Sequence, residues 1–316
     1  MTSNLPRALA TMLALSAAGY VLYGLLTGWE ATLNGLRGYD PRTLPAVLAL
    51  TFLNYGLRGL KWAGFLRRLG ITLSVRAHTA IFLAGLGLVV TPGKAGELFK
   101  PWWVAERTGT PLSRMVPALV AERVTDGIAV ALLAAVGVAR FAPEHRGSVL
   151  TLLLLLGAGL IALSSQRWGA VFLRTVGATS WLRWAHGPLS EAWTSLRCVL
   201  ASPASLTASL VLSLLAWGAE CVGFLLVLRG VGAEATLDGA TFLYAFATLF
   251  GAPSPGGLGL ADATLIEGGT RWLGLSPPHA IAAALVVRLA TLWIGVLLGA
   301  VTLLFLERLA GPKEAE

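Results

Sequence analysis

Charge is what this chain has little of. Only 13% of its 316 residues are Asp, Glu, Lys or Arg, against 56% hydrophobic, which lies outside the soluble globular range. No stretch is long and polar enough to make a soluble domain of about 50 residues or more. A mean hydropathy of +0.73 calls instead for a bundle of membrane-spanning helices. Cysteine is almost missing: Cys198 and Cys221 carry no pairing pattern, and Cys221 reads as a small apolar residue inside a span. His78, His145, His186 and His279 lie scattered, without metal-ligand spacing. Gly93-Lys94 is no phosphate loop, because residue 88 is Leu where Gly is needed and Ala95 follows where Ser or Thr is needed. The Gly-Leu-Gly elements have no βαβ setting, so they are not nucleotide fingerprints. These absences leave no sign of ATP use, of a cofactor, of a metal site or of a catalytic nucleophile. The net charge of +8 does not imply nucleic acid here; basic residues beside spans report topology and contact with anionic lipid head groups.

What the chain does have is long apolar runs. Residues 8–26, preceded by Arg7, suit a retained first span better than a cleaved signal peptide. Further spans are expected at 44–66 (interrupted by Arg58 and Lys61), 115–139 (with Glu122, Arg123 and Asp126 near its start), 148–164, 206–228 (with Glu220 in its middle) and 281–307. Two runs are too short to cross. Residues 78–91 would reach only about 21 Å at about 1.5 Å per residue, against a hydrocarbon core of about 30 Å. That run ends at Pro92-Gly93, and a second helical stretch starts from about Gly96. Residues 239–252 likewise end in a Pro/Gly turn. A half-span, a turn and a return make a re-entrant hairpin, expected over about 78–105 and again over about 239–270; such backbone is tolerated only where protein or a watery cavity surrounds it. Between 167 and 201, Trp168, Trp181, Trp184 and Trp193 are spaced among Arg167, Arg174, Arg183 and Arg197, which suits a segment lying in the membrane interface.

The expected architecture is therefore an all-α integral membrane protein, one membrane domain over 1–316, with six spans and two re-entrant hairpins. It divides into the first span, a repeat over 44–140, a span with its interfacial segment over 148–201, and a second repeat over 206–307. Gly232 stands 162 residues after Gly70, Pro255-Gly256 stands 163 after Pro92-Gly93, and Arg288 stands 165 after Arg123. With the N-terminus inside, fourteen Lys and Arg residues, Lys100 among them, fall on the inner side and six on the outer, as the positive-inside rule asks. The first hairpin then enters from inside and the second from outside. That is the inverted topology of many secondary transporters, in a plasma (inner) membrane with both termini cytoplasmic.

The densest polar stretch is Thr91-Pro-Gly-Lys-Ala-Gly-Glu97, continued by Ala121-Glu-Arg-Val-Thr-Asp126. A helix that starts inside a membrane offers free N–H groups to an anion such as phosphate, and glycine lets backbone approach it closely. The plain alternative is a turn at Pro92-Gly93, a helix cap at Glu97, and glycines that only let helices pack. Charges inside spans mark functional candidates: Arg58, Glu122, Arg123, Asp126 and Arg288. Glu122 and Asp126, four apart, share a helix face. An arginine fork can take phosphate with two hydrogen bonds; equally, Arg123 and Arg288 could hold the carboxylates of the two hairpins. The candidate lipid- or phosphate-binding set is Arg58, Pro92, Gly93, Lys94, Gly96, Glu97, Lys100, Glu122, Arg123, Asp126, Pro255, Gly256, Gly257, Gly259, Asp262 and Arg288.

These motifs resemble a known family. Pro-Gly-x-x-Gly-Glu-x-x-Lys at 92–100, Glu-Arg-x-x-Asp at 122–126, Leu57-Arg-Gly-Leu-Lys-Trp62, Pro253-Ser-Pro-Gly-Gly-Leu-Gly-Leu-Ala-Asp262 and Val287-Arg288 are together similar to the lysylphosphatidylglycerol synthase transmembrane family, whose members are called flippase-like. The likeness covers roughly residues 44–307. One position departs from it: Asp262 stands where the family usually carries Glu, with the same charge and a shorter reach. The resemblance implies a translocator of a phospholipid, an aminoacylated phospholipid or a polyprenyl-phosphate-linked glycan, without the soluble aminoacyl-transferring domain of longer relatives. Its partners are membrane lipids with anionic head groups; a second copy of the chain and a separate lipid-modifying enzyme are further candidates. Two rival readings stay open: a membrane-embedded head-group transferase using Glu122 or Glu97 as acid–base group, and a small-anion secondary transporter.

Overall fold

A computed structural model describes residues 36–91, 96–179, 184–200 and 202–310, together with positions 30 and 33. The expected first span at 8–26 and the turn residues Pro92, Gly93 and Lys94 lie outside the described residues. In chain order the helices are α1 (Leu44–Arg68), α2 (Val75–Gly87), α3 (Phe99–Thr108), α4 (Leu112–Phe141), α5 (Arg146–Ser164), α6 (Gln166–Ala178), α7 (His186–Leu200), α8 (Pro203–Gly230), α9 (Leu237–Gly251) and α10 (Leu260–Leu273). They are followed by α11 (Pro277–Leu304) and the short α12 (Leu306–Ala310). No strand occurs among the described residues.

Four of these helices, α4, α5 with its leading turn from Pro143, α8 and α11, are long and apolar enough to cross a membrane. They coincide with four of the six expected spans, and the chain is an integral membrane protein. The expected span at 44–66 forms α1, whose 25 residues reach about 38 Å. It is less apolar than the four because Arg58 and Lys61 sit in it. The two short apolar runs form helix–break–helix units. α2 ends at Gly87, and α3 begins at Phe99. α9 ends at Gly251, a 3-10 turn follows over Pro255–Gly257, and α10 begins at Leu260. α10 returns antiparallel along α9: a methyl added at Gly251 would meet Ala261, and one at Gly268 would meet Leu243.

Both units start in the same way. Gly70 (φ 75°) and Gly232 (φ 80°) take the left-handed conformation that glycine adopts without strain. Four residues later the Ser74 and Thr236 hydroxyls accept the N–H of Ala77 and Gly239, capping α2 and α9.

Two buried apolar clusters meet at α4. One gathers α8, α9, α10 and α11 around Phe224, Phe242 and Val287, with Val130 and Ala134 of α4. The other joins α1, α2 and α7 around Trp62, Phe65, Ile81 and Val199, with Met115 and Ala118 of α4. Small residues let backbones touch where α2 crosses α11; a methyl at Gly299 would lie 2.0 Å from the Gly87 nitrogen. The stretch expected to lie in the interface divides. Trp168 of α6 and Trp184 are exposed, but α7 buries Leu196, Val199 and Leu200 in the second cluster, because these three positions fall on one helix face.

Candidate functional site

Scarce charges converge on one place. Asp126 and Glu122 point from one face of α4, as their four-residue spacing dictates, and cations from four other positions close on them. Glu122 is fully buried. Lys100 Nζ of α3 lies 2.6 Å from its Oε2, and Arg123 Nη2 lies 2.8 Å from its Oε1. Arg58 Nη2 of α1 stands 3.6 Å from the same Oε1. Asp126 receives Lys61 of α1 and the Ser213 hydroxyl of α8, the latter at 2.8 Å. Arg58 and Arg123 approach its Oδ2 at 3.9 and 3.7 Å. Glu97 joins at the rim through Arg123 Nε at 3.7 Å. Aromatic rings finish the cage: Lys100 lies 4.6 Å from the Trp62 ring centroid and 5.2 Å from that of Phe82, and Arg58 lies 5.5 Å from that of Trp217. Charges this deep are costly unless paired; every one of these has an ion-pair partner, while Asp126 Oδ2 accepts no aligned hydrogen bond.

A second, smaller centre sits at the break between α9 and α10. Gly256, Gly257 and Gly259 all have positive φ (59°, 77° and 78°). Asp262 takes the Gly259 N–H on Oδ2 at 2.9 Å, capping α10, and presents Oδ1 to Arg288 Nε at 2.8 Å. Arg288 Nη2 donates to the Gly256 carbonyl at 2.7 Å. The short Asp262 side chain therefore reaches both its own helix start and the arginine. Pro255 opens the 3-10 turn that sets this geometry. Immediately after Arg288 the helix loosens into a π-turn over Leu289–Trp293, a feature common at functional sites. The Tyr55 hydroxyl donates to the Thr291 carbonyl there at 2.6 Å.

Between the two centres lies a cavity of about 450 Å³. Arg58, Lys100 and Arg123 line it on one side, with Glu97 and Asp126; Arg288, Gly256 and Gly257 line it on the other. Glu220 reaches it from α8, buried and hydrogen-bonded by the Tyr244 hydroxyl at 2.6 Å. Nε of Arg58, Arg123 and Arg288 is in each case a buried donor with no aligned hydrogen-bond partner. Arg123 is also the most open of the paired cations in the larger centre, its side chain 36% exposed.

The described candidates therefore fall into two groups facing one space. Arg58, Glu97, Lys100, Glu122, Arg123 and Asp126 form the first; Pro255, Gly256, Gly257, Gly259, Asp262 and Arg288 form the second. Gly96 lies outside both and closes the first turn, its N–H bonded to the Thr91 hydroxyl at 2.7 Å. Lys100 is buried in the cluster and does not serve as an inner-surface topology marker. Sequence reasoning treated Lys61 as an interruption of a span and passed over Ser213. Lys61 had a signal, since it stands three residues after Arg58 on the same face of an apolar helix. Ser213 had none, being one serine among several in α8.

The family model described as the lysylphosphatidylglycerol synthase TM region matches residues 9–299. The glycosyltransferase AglD of Haloferax volcanii is 24% identical over 315 residues, covering 86% of this chain and 50% of that protein. The chain thus spans about half the length of that curated relative.

Proposed function

The chain belongs to the lysylphosphatidylglycerol synthase TM-region family, and from that premise we propose that it binds an anionic lipid by its phosphate in the central cavity and carries it across the membrane. The observation that carries this reading is the single cavity touching both arginine–carboxylate centres. Arginine forks suit phosphate, and here each fork holds a carboxylate that a phosphate can replace. Arg123 would release Glu97 first, the more exposed of its two partners at 3.7 Å. Arg288 would keep its hold on the Gly256 carbonyl while phosphate takes the place of Asp262.

Inverted repeats supply the transport cycle in this reading: each helix–break–helix unit re-enters the membrane from its own side, and the site between them opens to one face at a time. The matching starts at Gly70–Ser74 and Gly232–Thr236 support the repeat, as does the placing of Arg123 and Arg288 on opposite walls of one cavity. The lipid is a phospholipid, an aminoacylated phospholipid or a polyprenyl-phosphate-linked glycan. The relative AglD, a glycosyltransferase, favours a second reading in which the chain helps transfer a head group, with Glu122 or Glu97 as acid–base group. In that reading a proton must reach the carboxylate, yet Glu122 is saturated by three cations, so transport is the better account.

Lipid retained through purification tests the proposal. Mass spectrometry of the gently solubilised protein should find anionic lipids enriched over their share of the source membrane, and Arg288→Lys should lower that enrichment. Retained lipid with the membrane's own composition, unchanged by the variant, would contradict it.

A further inference from the structure

A second cavity, of about 570 Å³, shares two lining residues with the first. Its long wall is one face of α1, from Phe52 through Gly56, Gly59 and Ala63 to Arg67, about 22 Å of helix. The opposite wall is α2, from Val75 through Thr79 to Leu83, with Leu298 of α11. It is an elongated apolar groove with a polar end. Arg67 and His78 lie together where α1 turns into α2, and Thr72 is beside them. Among the described residues no carboxylate lines the groove. In the central cavity every guanidinium is matched by a carboxylate, so the two cavities differ in electrostatic character. His78 also has a buried Nε2 without a hydrogen-bond partner.

The groove adjoins the central cavity. Tyr55 and Phe82 line both and form the partition. Phe82 faces the Lys100 ammonium at 5.2 Å, and its ring lies 3.6 Å from where a methyl on Gly59 would stand. Tyr55 is tied to the π-turn of α11 through Thr291.

We propose that this groove is a loading site for one anionic phospholipid, with the phosphate at Arg67 and His78 and an acyl chain along the Gly56–Gly59–Ala63 face of α1. The unmatched positive end recognises the head group, since Arg67 gives charge-assisted hydrogen bonds. The apolar length takes the chain, and glycine at 56 and 59 keeps the floor open. The proposal rests on the transport reading: the lipid moves from here past Phe82 and Tyr55 to the central arginines.

Gly56 offers a clean test, because a methyl there meets none of the described residues within 4 Å. Leucine in its place fills the groove, and it is a better helix former than glycine. The full chain is reconstituted in phosphatidylcholine vesicles containing a minority of phosphatidylglycerol, and retained lipid is counted by native mass spectrometry. The measurement is made on wild type, Gly56→Leu, Arg67→Gln and Arg288→Lys, with melting temperature taken on each. Gly56→Leu should lose phosphatidylglycerol with its melting temperature unchanged. Arg67→Gln should bind it about tenfold more weakly, the effect of losing one charge-assisted hydrogen bond. Both substitutions should act equally when combined with Arg288→Lys, which does not touch the groove. Retention at the wild-type level in Gly56→Leu and Arg67→Gln overturns the proposal, and so does equal retention of phosphatidylcholine. If wild-type protein keeps groove lipid but moves none across the vesicle, the transport reading falls and the binding site stands.

Discussion

Glu122 shows how the site is held together. Three cations share one fully buried carboxylate, so removing its charge strands Lys100 and weakens the hold on both arginines. Breaking a buried pair by deleting one partner costs about 3–5 kcal/mol, and Glu122→Gln should lower thermal stability in detergent by that order. Glu97 differs: among the described residues its one ion pair, to Arg123, is 3.7 Å long, and Arg123 keeps two other carboxylates. Glu97→Gln should cost about 1 kcal/mol or less and still lose translocation. Equal destabilisation by the two substitutions would mean that Glu97 is part of the structural network. At this scale the sequence was informative because charge is scarce: in an apolar chain Arg58, Glu122, Arg123, Asp126 and Arg288 stand out without any structure. The partners of low contrast did not stand out. Ser213 on Asp126, Tyr244 on Glu220 and the Tyr55–Phe82 partition are ordinary residues of apolar helices, and only the fold brings them to the site.

The elements are shaped by what glycine and proline allow. The short runs at 78–91 and 239–252 were legible as helices too short to cross, since length and Pro/Gly turns fix that much. The division of the 167–201 stretch into an outer α6 and a packed α7 was not, because Trp–Arg mixing describes a surface and says nothing of which neighbour covers it. Close helix crossings were also hidden. Gly87 and Gly299 look like any other small residues, yet a methyl at Gly299 would overlap the backbone of α2. Gly299→Ala should therefore destabilise by about 1–3 kcal/mol, although alanine is the better helix former. A melting temperature equal to or above wild type would show that α2 and α11 do not press together there.

For the whole molecule, an integral membrane protein was evident from composition, and four of the expected spans recur as apolar helices of sufficient length. The inverted arrangement of the two units remains our proposal, and sidedness tests it. Single cysteines at Thr72 and Gly147, both exposed, go into a Cys198→Ser background, because Cys198 is itself exposed while Cys221 is buried. A membrane-impermeant thiol reagent should label Thr72→Cys from the inside and Gly147→Cys from the outside. Labelling of both from one side would remove the inverted topology and the transport cycle built on it.

The central claim is movement of lipid, and its most direct measurement is translocation of a fluorescent anionic phospholipid in proteoliposomes, read by a quencher confined to the outside. Vesicles with wild-type protein should expose inner-leaflet lipid to the quencher far faster than protein-free vesicles. Arg123→Lys and Arg288→Lys, which keep charge but lose the planar fork, should each slow this at unchanged melting temperature. The double variant should be little worse than either, since residues serving one step are not additive. Lipid exposure no faster than in protein-free vesicles, or activity that merely follows melting temperature across the three variants, would contradict the account.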